Sequence, residues 1–592
     1  MKRRIIVAFF LGIFVIGLSY AEVFAYSWQW RIYKPQMKWS EVFGESITIK
    51  DWSQGVLLPK YIEDPTLEQA LQAEGEEGNN ALARKSVEAL LNFVPSGGTA
   101  SCNNIASLKL PYATITSVTI IPASPTPPAY PEHCMVLGVI KDDIIFEVRL
   151  PAGWNGKFYM GGGGGFVGAV SSLNWQDALS RGYATTGTDT GHQATNPQKA
   201  SLDGSPFLNN PQALVNFAHR AVHMTAATAK IITRAYYARD IRYSYFWGCS
   251  TGGRQAMMEA QRYPTDFDGI IAGAPAYVYR PELLNYIQQA MFPPGRALSN
   301  PVLPLAKLSW IQQEVINHCD AIDGVVDGLI SDPRKCPFYP PTDLACGVST
   351  SPNCLTPDEA EVLNRIYSGI ELPGAESYPG YSPGCEGAAG GWDTWIVYSP
   401  AVLGFYGFPN LHYGFQREIL RYMVYNDPNF DFHNFNPLTD FNDTLLLTST
   451  VAATQTDLRV FKADGGKMIM YNGWCDPILN PLGAIRYYER AQNDPANTTI
   501  LKRTTKDFFR LFLLPGVLHC SGGPGPGSSG VDFLTALERW VEKGIAPDKV
   551  IASHVTGGVV DRTRPLCPYP QQAVYKGTGS IDDAANFTCR IP

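Results

Sequence analysis

Short apolar runs alternate with longer amphipathic stretches through the first half of the chain. The runs Ile144 to Leu150 and Tyr243 to Trp247 have the length and composition of strands, whereas Ala213 to Tyr237 is typical of a helix. This alternation predicts a parallel sheet covered by helices. Between about 279 and 460 the apolar positions lose their regular spacing, and Lys467 to Tyr471 then predicts a further strand.

The pattern predicts one core in two parts. We expect the core to span residues 26–278 and 461–592, interrupted by an inserted lid domain over residues 279–460. The insert is rich in Pro, Gly, Asn and aromatic residues, and its sequence shows no long apolar core of its own.

The first residues predict export. A cationic start is followed by the apolar run Ile5 to Leu18 and then by small residues, which predicts a signal peptide over residues 1–25. The alternative is a retained membrane anchor, which needs about 20 apolar residues. We therefore expect a secreted protein, extracellular or periplasmic.

Charge and cysteine content narrow the function classes. The net charge is −7 over 592 residues and no basic stripe is present, which disfavours nucleic acid and a stable membrane partner. The 12 cysteines lack CxxC spacing, so disulfides are favoured over metal thiolates. Counting leaves the connectivity open, although the short loops Cys319 to Cys336 and Cys346 to Cys354 favour local pairing.

A serine lies between two glycines where a predicted strand meets a predicted helix. Tyr243 to Trp247 is followed by Gly248-Cys-Ser-Thr-Gly252 and then by the helix-forming run Gly253 to Arg262. Glycines two positions either side of the serine let strand and helix approach closely and leave its hydroxyl exposed at the helix N-terminus. The context predicts Ser250 as a nucleophile, with an ordinary glycine turn as the alternative.

A serine nucleophile needs a histidine base and a carboxylate that orients the imidazole. In α/β-hydrolases the acid and then the histidine follow the serine along the chain. Asp476 follows the predicted strand Lys467 to Tyr471, and His519 lies in a loop after another apolar run, so we predict these two as the partners of Ser250. The alternative for each is a residue of a surface loop. Three other histidines lie in the insert, where a structural or surface role is the default: His318, His412 and His433.

Two further features support this site. Cys249 precedes the predicted nucleophile and Cys520 follows the predicted base, so a disulfide between them would hold both loops together, with Cα atoms within about 7 Å. The oxyanion of a tetrahedral intermediate needs preorganised donors. We predict the backbone N–H of Thr251 and that of Gly164 or Gly165, with a flexible glycine linker as the alternative.

Acidic residues and glycines alternate over Asp320 to Asp332. Calcium takes about six to eight oxygen ligands, and a turning loop brings carboxylates and carbonyls to one centre. The spacing differs from an EF-hand and lacks its terminal glutamate. From composition alone, the segment is either a calcium loop or a solvated acidic turn.

The segment Gly248 to Pro275 resembles the tannase and feruloyl esterase family, which also includes a mono(2-hydroxyethyl) terephthalate hydrolase. The family signature of Cys-Ser, Asp and His-Cys is matched by Cys249-Ser250, Asp476 and His519-Cys520. The similarity extends to Trp540 to Pro547 near the end of the chain. The resemblance implies an α/β-hydrolase core with a large inserted lid domain.

The resemblance also implies disulfides and a metal site. By position, the implied pairs are Cys102 with Cys134, Cys249 with Cys520, Cys319 with Cys336, Cys346 with Cys354, and Cys567 with Cys589. The implied ligands of a structural calcium ion are the side chains of Asp320, Asp323 and Asp327 and the carbonyls of Val325 and Leu329. Cys385 and Cys475 are left over. A bond between them would join the lid to the acid loop, and free thiols are the alternative.

Together these features predict a serine carboxylesterase that needs no redox or nucleotide cofactor. The resemblance implies a small aromatic ester as substrate, such as a hydroxycinnamate or gallate ester. Four lid aromatics are candidate substrate contacts: Trp392, Trp395, Tyr398 and Phe405. The oligomeric state is not predicted.

Three alternatives remain at this point. A terephthalate monoester carries a carboxylate that favours a cationic partner, and the lid has no Arg or Lys between Arg365 and Arg417. A peptidase of the same fold would need an anchoring site for a peptide, which the sequence does not indicate. A non-catalytic calcium-dependent binding protein on this scaffold is the third alternative, but such relatives usually lack a triad residue.

Overall fold

The structure is a computed structural model that describes residues 101–126, 129–170, 176–349, 353–373, 377–499 and 504–591. The predicted signal peptide at 1–25 and the first part of the predicted core, residues 26–100, lie outside the described residues. In the described ranges, no helix combines the length and the apolar character that a membrane crossing requires.

Fifteen strands form in this part of the chain. They are β1 Ala113–Ile121, β2 His133–Ile140, β3 Ile144–Pro151, β4 Lys157–Gly161, β5 Ala184–Thr188, β6 Tyr243–Cys249, β7 Gly269–Gly273, β8 Gly369–Ile370, β9 Tyr378–Pro379, β10 Lys467–Gly473, β11 Phe509–Leu514, β12 Val550–Thr556, β13 Val559–Leu566, β14 Gln572–Tyr575 and β15 Phe587–Arg590. Nine of them make one sheet in the order β1-β2-β3-β5-β4-β6-β7-β10-β11. The first four strands of that order pair antiparallel and the rest pair parallel. Every residue of β5 and β7 is buried, as expected for parallel strands covered on both faces.

Sixteen α-helices are present among the described residues. They are α1 Gln176–Ser180, α2 Pro211–Val215, α3 Ala221–Tyr237, α4 Thr251–Arg262, α5 Glu282–Met291, α6 Leu308–Cys319, α7 Pro340–Asp343, α8 Pro357–Ser368, α9 Trp392–Trp395, α10 Pro400–Tyr406, α11 Leu411–Glu418, α12 Leu445–Val451, α13 Arg459–Ala463, α14 Pro481–Asn493, α15 Pro495–Thr499 and α16 Phe533–Lys543. A π-helical segment, Asn216–Arg220, joins α2 to α3, so the predicted helix over Ala213 to Tyr237 forms with one irregular turn.

Helices cover both faces of the sheet. On one face, side chains such as Phe246 and Ile270 pack with Ile232 of α3 and Met257 of α4. On the other face, Tyr245, Ile271 and Ile469 pack with Leu537 and Trp540 of α16. The result is the three-layer α/β-hydrolase fold that the sequence predicted, with an apolar core on each side of the sheet.

The segment between β7 and β10 forms the lid. It contains helices α5 to α13 and one short two-stranded sheet, β8 with β9. Its helices enclose a separate apolar cluster that includes Ile287, Ile311, Leu363 and Ile396. The expectation that this segment lacks a core of its own is therefore wrong, because apolar residues with no regular spacing in sequence converge from several short helices.

Six disulfides cross-link the described residues. Five are the pairs implied by the family resemblance, and the sixth joins Cys385 to Cys475, the pair that the sequence left open. No cysteine in this part of the chain is free. The sixth bond connects the lid to the loop that follows β10.

Candidate active site

Ser250 lies in a tight turn between β6 and α4. Its φ is 65° and its ψ is −123°, a positive φ that is uncommon for a residue other than glycine. Such backbone conformations cluster at functional sites, where surrounding structure holds them in place. The N–H of Ser250 donates to the carbonyl of Gly273 at 3.0 Å, which fixes the turn to the end of β7. Ser250 is therefore held at the carboxyl edge of the parallel strands.

The two glycines that flank this serine are required by close packing. A Cβ on Gly248 would lie 2.4 Å from the carbonyl carbon of Gly252, and a Cβ on Gly252 would lie 2.9 Å from the carbonyl oxygen of Gly163. Neither position has room for a side chain. The strand, the helix and the glycine loop thus meet at the GxSxG turn. Their close approach requires glycine at both positions, as the sequence pattern predicted.

Asp476 and His519 form a hydrogen-bonded pair. Nδ1–H of His519 donates to Oδ2 of Asp476 at 2.9 Å, and the Asp476 side chain is fully buried. The other carboxylate oxygen, Oδ1, accepts from the N–H groups of Ile478 and Leu479, each at 2.9 Å. With Nδ1 donating to the carboxylate, a neutral imidazole has its Nε2 lone pair available to accept a proton.

A disulfide brings the serine and histidine loops together. The Cα atoms of Cys249 and Cys520 lie 5.9 Å apart. Cys249 adjoins Ser250, Cys520 adjoins His519, and the Sγ of Cys520 lies 3.7 Å from the Nε2 of His519. The loop of His519 is therefore joined to Asp476 by a hydrogen bond and to the turn of Ser250 by a disulfide.

The glycine loop after β4 packs on the start of α4. The Thr251 hydroxyl donates to the carbonyl of Gly165 at 2.6 Å, and the N–H of Gly163 donates to Oε1 of Gln255 at 3.0 Å. No described group accepts a hydrogen bond from the N–H of Thr251, Gly164 or Gly165. These are the amides that the sequence predicted as oxyanion donors.

A row of aromatic rings extends from the glycine loop to His519. Phe166 meets Phe415 edge-on with ring centroids 5.3 Å apart. Phe415 lies parallel to Trp395 at 6.3 Å, and Trp395 meets the His519 ring edge-on at 4.9 Å. Trp395 is therefore the predicted lid aromatic that contacts the candidate base.

The other three lid aromatics lie elsewhere. Trp392 is 2% exposed and packs in the lid core against Tyr367, so the expectation that it contacts substrate is wrong. Tyr398 is partly buried against the same core. Phe405 is 43% exposed, with the Nζ of Lys199 5.2 Å from its ring.

The predicted calcium loop is compact. Gly324 and Gly328 have φ values of 85° and 77° and so turn the chain sharply. The carboxylate of Asp320 accepts from the N–H of Gly328 at 3.0 Å, and Arg564 pairs with one oxygen of Asp327. One small cavity is lined by four of the five predicted ligand residues: Asp323, Val325, Asp327 and Leu329. Carboxylates and carbonyls are the ligand types that calcium takes, but the carboxylate oxygens of Asp320, Asp323 and Asp327 do not all lie within 4.8 Å of one another.

The remaining histidines of the lid have structural contacts. His318 stacks on Phe338 with centroids 4.1 Å apart, and the Nε2–H of His433 donates to the carbonyl of Phe292 at 2.9 Å. His412 instead contacts the loop of Asp476, donating its Nε2–H to the carbonyl of Pro477 at 2.7 Å. No local pattern in the sequence marks this contact, and it was not predicted.

Known proteins resemble this chain over most of its length. The family profile described as tannase and feruloyl esterase matches residues 131–590. The chain is 37% identical over 545 residues to an uncharacterized esterase of Xanthomonas campestris pv. campestris, covering 83% of this chain and 92% of that protein. It is 34% identical over 538 residues to the mono(2-hydroxyethyl) terephthalate hydrolase of Piscinibacter sakaiensis, covering 80% and 87%. A crystal structure of feruloyl esterase B from Aspergillus oryzae matches with a TM-score of 0.70 at 27% identity, over 82% of this chain and 98% of that chain.

Proposed function

The chain belongs to the tannase and feruloyl esterase family and is a carboxylic ester hydrolase, and from this membership we propose that it cleaves esters of aromatic acids with a Ser250-His519-Asp476 triad. One observation carries the proposal. The Asp476–His519 pair is tied by the Cys249–Cys520 disulfide to the turn that exposes Ser250.

The proposed mechanism is acyl transfer. Oγ of Ser250 attacks the ester carbonyl carbon while Nε2 of His519 takes the hydroxyl proton, and Asp476 orients the imidazole and stabilises its cationic form. The tetrahedral oxyanion accepts hydrogen bonds from the N–H of Thr251 and of Gly164 or Gly165. Collapse breaks the ester C–O bond, and the leaving alcohol receives the proton from His519. A water molecule, deprotonated by the same imidazole, then releases the acid and restores Ser250.

An aromatic acyl group is supported by the rings beside the base. Trp395 and Phe415 offer apolar faces to a planar ring within reach of the His519 loop, and offset or edge-on ring contacts are favourable. The relatives named as feruloyl esterases are similar over 76% of this chain. We therefore place a hydroxycinnamate or gallate acyl group under Trp395.

A terephthalate monoester is the second candidate, because one relative is named for that activity. Its free carboxylate would need a cation. The arginines of α11 and of the π-helical segment Ile419–Val424 that follows it already have partners. Arg417 pairs with Glu418 at 3.1 Å, and Arg421 donates to the carbonyl of Phe430 at 2.9 Å. Because both arginines are already paired, neutral aromatic esters are favoured over a substrate with a free carboxylate.

Two further elements belong to the proposal. A structural calcium ion would be held by the carboxylates of Asp320, Asp323 and Asp327 with the carbonyls of Val325 and Leu329, and would tighten that loop of the lid. Export to an oxidising compartment, extracellular or periplasmic, is supported by the six disulfides.

The test compares three substrates and two enzymes. Methyl ferulate, methyl gallate and the terephthalate monoester are assayed side by side with the wild type and with Ser250→Ala, and both proteins are treated with a fluorophosphonate probe. We expect faster turnover of ferulate or gallate, and neither labelling nor activity in the variant. Preference for the terephthalate monoester would contradict the substrate class. An unlabelled wild type would instead favour a non-catalytic calcium-dependent binding protein.

A further inference from the structure

The loop that carries Asp476 is contacted by the lid at both of its ends. Cys475, directly before the acid, is bonded to Cys385 of the lid. At the other end, Nδ2 of Asn480 donates to the carbonyl of Pro379 in β9 at 2.9 Å. The lid therefore forms part of the support of this loop as well as the cover of the site.

Two buried lid side chains hold the carbonyls between those ends. The Nε2–H of His412 donates to the carbonyl of Pro477 at 2.7 Å, and the Tyr381 hydroxyl donates to the carbonyl of Ile478 at 3.1 Å. These two carbonyls belong to the residues that follow Asp476 directly. The N–H of Ile478 in turn donates to Oδ1 of Asp476 at 2.9 Å. Each lid donor thus binds the carbonyl of a peptide unit whose own N–H, that of Ile478 or of Leu479, donates to Oδ1 of Asp476.

Burial keeps both donors in the required protonation state. His412 is completely buried, and burial lowers its pKa to about 3, so the imidazole is neutral at the pH of ester hydrolysis. Its partner is a carbonyl, which fixes the proton on Nε2. Burial, followed by the nearby Asp476 carboxylate, raises the pKa of Tyr381, so its hydroxyl remains a donor. Neither contact is lost by titration between acidic and mildly alkaline pH.

We propose that His412 and Tyr381 are positioning residues through which the lid sets the orientation of Asp476 toward His519. The proposal rests on the triad proposed above. Neither residue touches the reacting atoms: they hold the backbone of residues 477 and 478, and that backbone holds the carboxylate. A loop released from these donors would let the carboxylate rotate away from Nδ1, and an error of about 1 Å in catalytic geometry lowers rates by about 100-fold.

The experiment compares substitutions that remove or keep the donor. His412→Leu removes it, whereas His412→Gln places an amide N–H near the position of Nε2. His433→Leu is the matched control, because that lid histidine also donates Nε2–H to a carbonyl, that of Phe292, but lies away from the acid loop. For each variant we measure kcat and KM with methyl ferulate, and the melting temperature.

We expect His412→Leu to lower kcat by about 10- to 100-fold with KM changed less than about twofold. His412→Gln should recover most of kcat. An equal loss in His433→Leu, a change in KM alone, or no recovery by the glutamine variant would overturn the proposal.

If His412→Leu fails to fold, Tyr381→Phe tests the positioning role instead, because this substitution removes one hydroxyl and keeps the ring. A kcat about three- to tenfold lower with little change in KM supports the proposal, and unchanged kcat overturns it. Failure of the triad itself has a different signature. In that case Ser250→Ala would remain active, whatever the His412 and Tyr381 variants do.

Discussion

The Cα atoms of Cys249 and Cys520 lie 5.9 Å apart although 271 residues separate them in the sequence. The bond joins the last residue of β6 to the loop that follows β11, two strands that are not neighbours in the sheet. Both ends adjoin residues of the proposed triad. The separation of Ser250 and His519 is therefore constrained covalently, in addition to the packing of the sheet.

Removing this bond should lower both the catalytic rate and the stability of the fold. In Cys249→Ser/Cys520→Ser we expect kcat with methyl ferulate to fall about 100-fold, because the two loops lose their fixed separation. The free energy of unfolding should fall by about 2–5 kcal/mol, as for other native disulfides. The control is Cys346→Ser/Cys354→Ser, whose bond closes a sequence separation of only 8 residues in the lid. An equal loss of kcat in both double variants would contradict the catalytic role of the Cys249–Cys520 bond.

Asp476→Asn should lower kcat about 10⁴-fold, because an amide does not stabilise the imidazolium and favours the wrong tautomer of His519. Steady-state kinetics with methyl ferulate measure the change. Asp431→Asn is a matched control, since Asp431 also pairs with a histidine, His433, at 2.8 Å, but on the lid. That variant should retain wild-type kcat, and comparable losses in the two would show that Asp476 has no special role.

Trp395 should determine the preference for aromatic acyl groups. In Trp395→Leu we expect kcat/KM for methyl ferulate to fall about tenfold more than kcat/KM for an acetate ester, because only the aromatic substrate loses ring contacts. Trp395→Phe keeps a ring beside His519 and should retain most of the preference. Equal losses for both substrates in the leucine variant would indicate that Trp395 acts on His519 alone.

Calcium removal should destabilise the protein without a change in the triad. We expect a chelator to lower the melting temperature by several degrees, since a ligand present at 100 times its Kd stabilises a protein by about 2.7 kcal/mol. Asp323→Asn should have a lower melting temperature and lose most of its response to the chelator. Asp561→Asn, on the exposed hairpin of β12 and β13, is the control and should respond like the wild type. If the chelator does not change the melting temperature of the wild type, the result argues against a bound calcium ion.

Local patterns predicted the parts of the site that local geometry determines. The strand Tyr243–Cys249, the GxSxG turn and the helix after it are adjacent in sequence, and each glycine there has a steric reason that sequence alone reveals. The five family disulfides followed from similarity by position. The contact of His412 with Pro477 was not predictable, because it joins residues 65 positions apart through the packing of the lid.

Trp392 and Trp395 show the same limit within one short helix. They are three positions apart on α9, so their side chains are neighbours on the helix surface. Tyr367 packs on Trp392 and the ring of His519 packs on Trp395. The packing of the surrounding lid determines which tryptophan lies in its core. The spacing of the two residues in the sequence does not predict this.

A buried carboxyl group on α4 should make stability depend on pH. Glu259 of α4 is completely buried, and burial together with the neighbouring Asp266 carboxylate raises its pKa well above the ordinary value of 4.5. Asp266 pairs with Nδ1 of His223 at 2.7 Å, so the proton of the two carboxyl groups resides on Glu259. The folded protein therefore keeps a proton that the unfolded chain releases above pH 4.5, and the free energy of unfolding falls as pH rises through that point.

Glu259→Gln removes this titration while it keeps the shape and a donor toward Asp266. Its free energy of unfolding relative to the wild type should rise with pH above 4.5, by up to about 1.4 kcal/mol per pH unit until the folded pKa is reached. Urea unfolding at three pH values between 4.5 and 7.5 measures the difference. Glu361→Gln, at a side chain that is 51% exposed on α8, is the control for the same substitution outside the core. An offset for Glu259→Gln that does not change with pH would mean that the buried carboxyl group does not retain its proton.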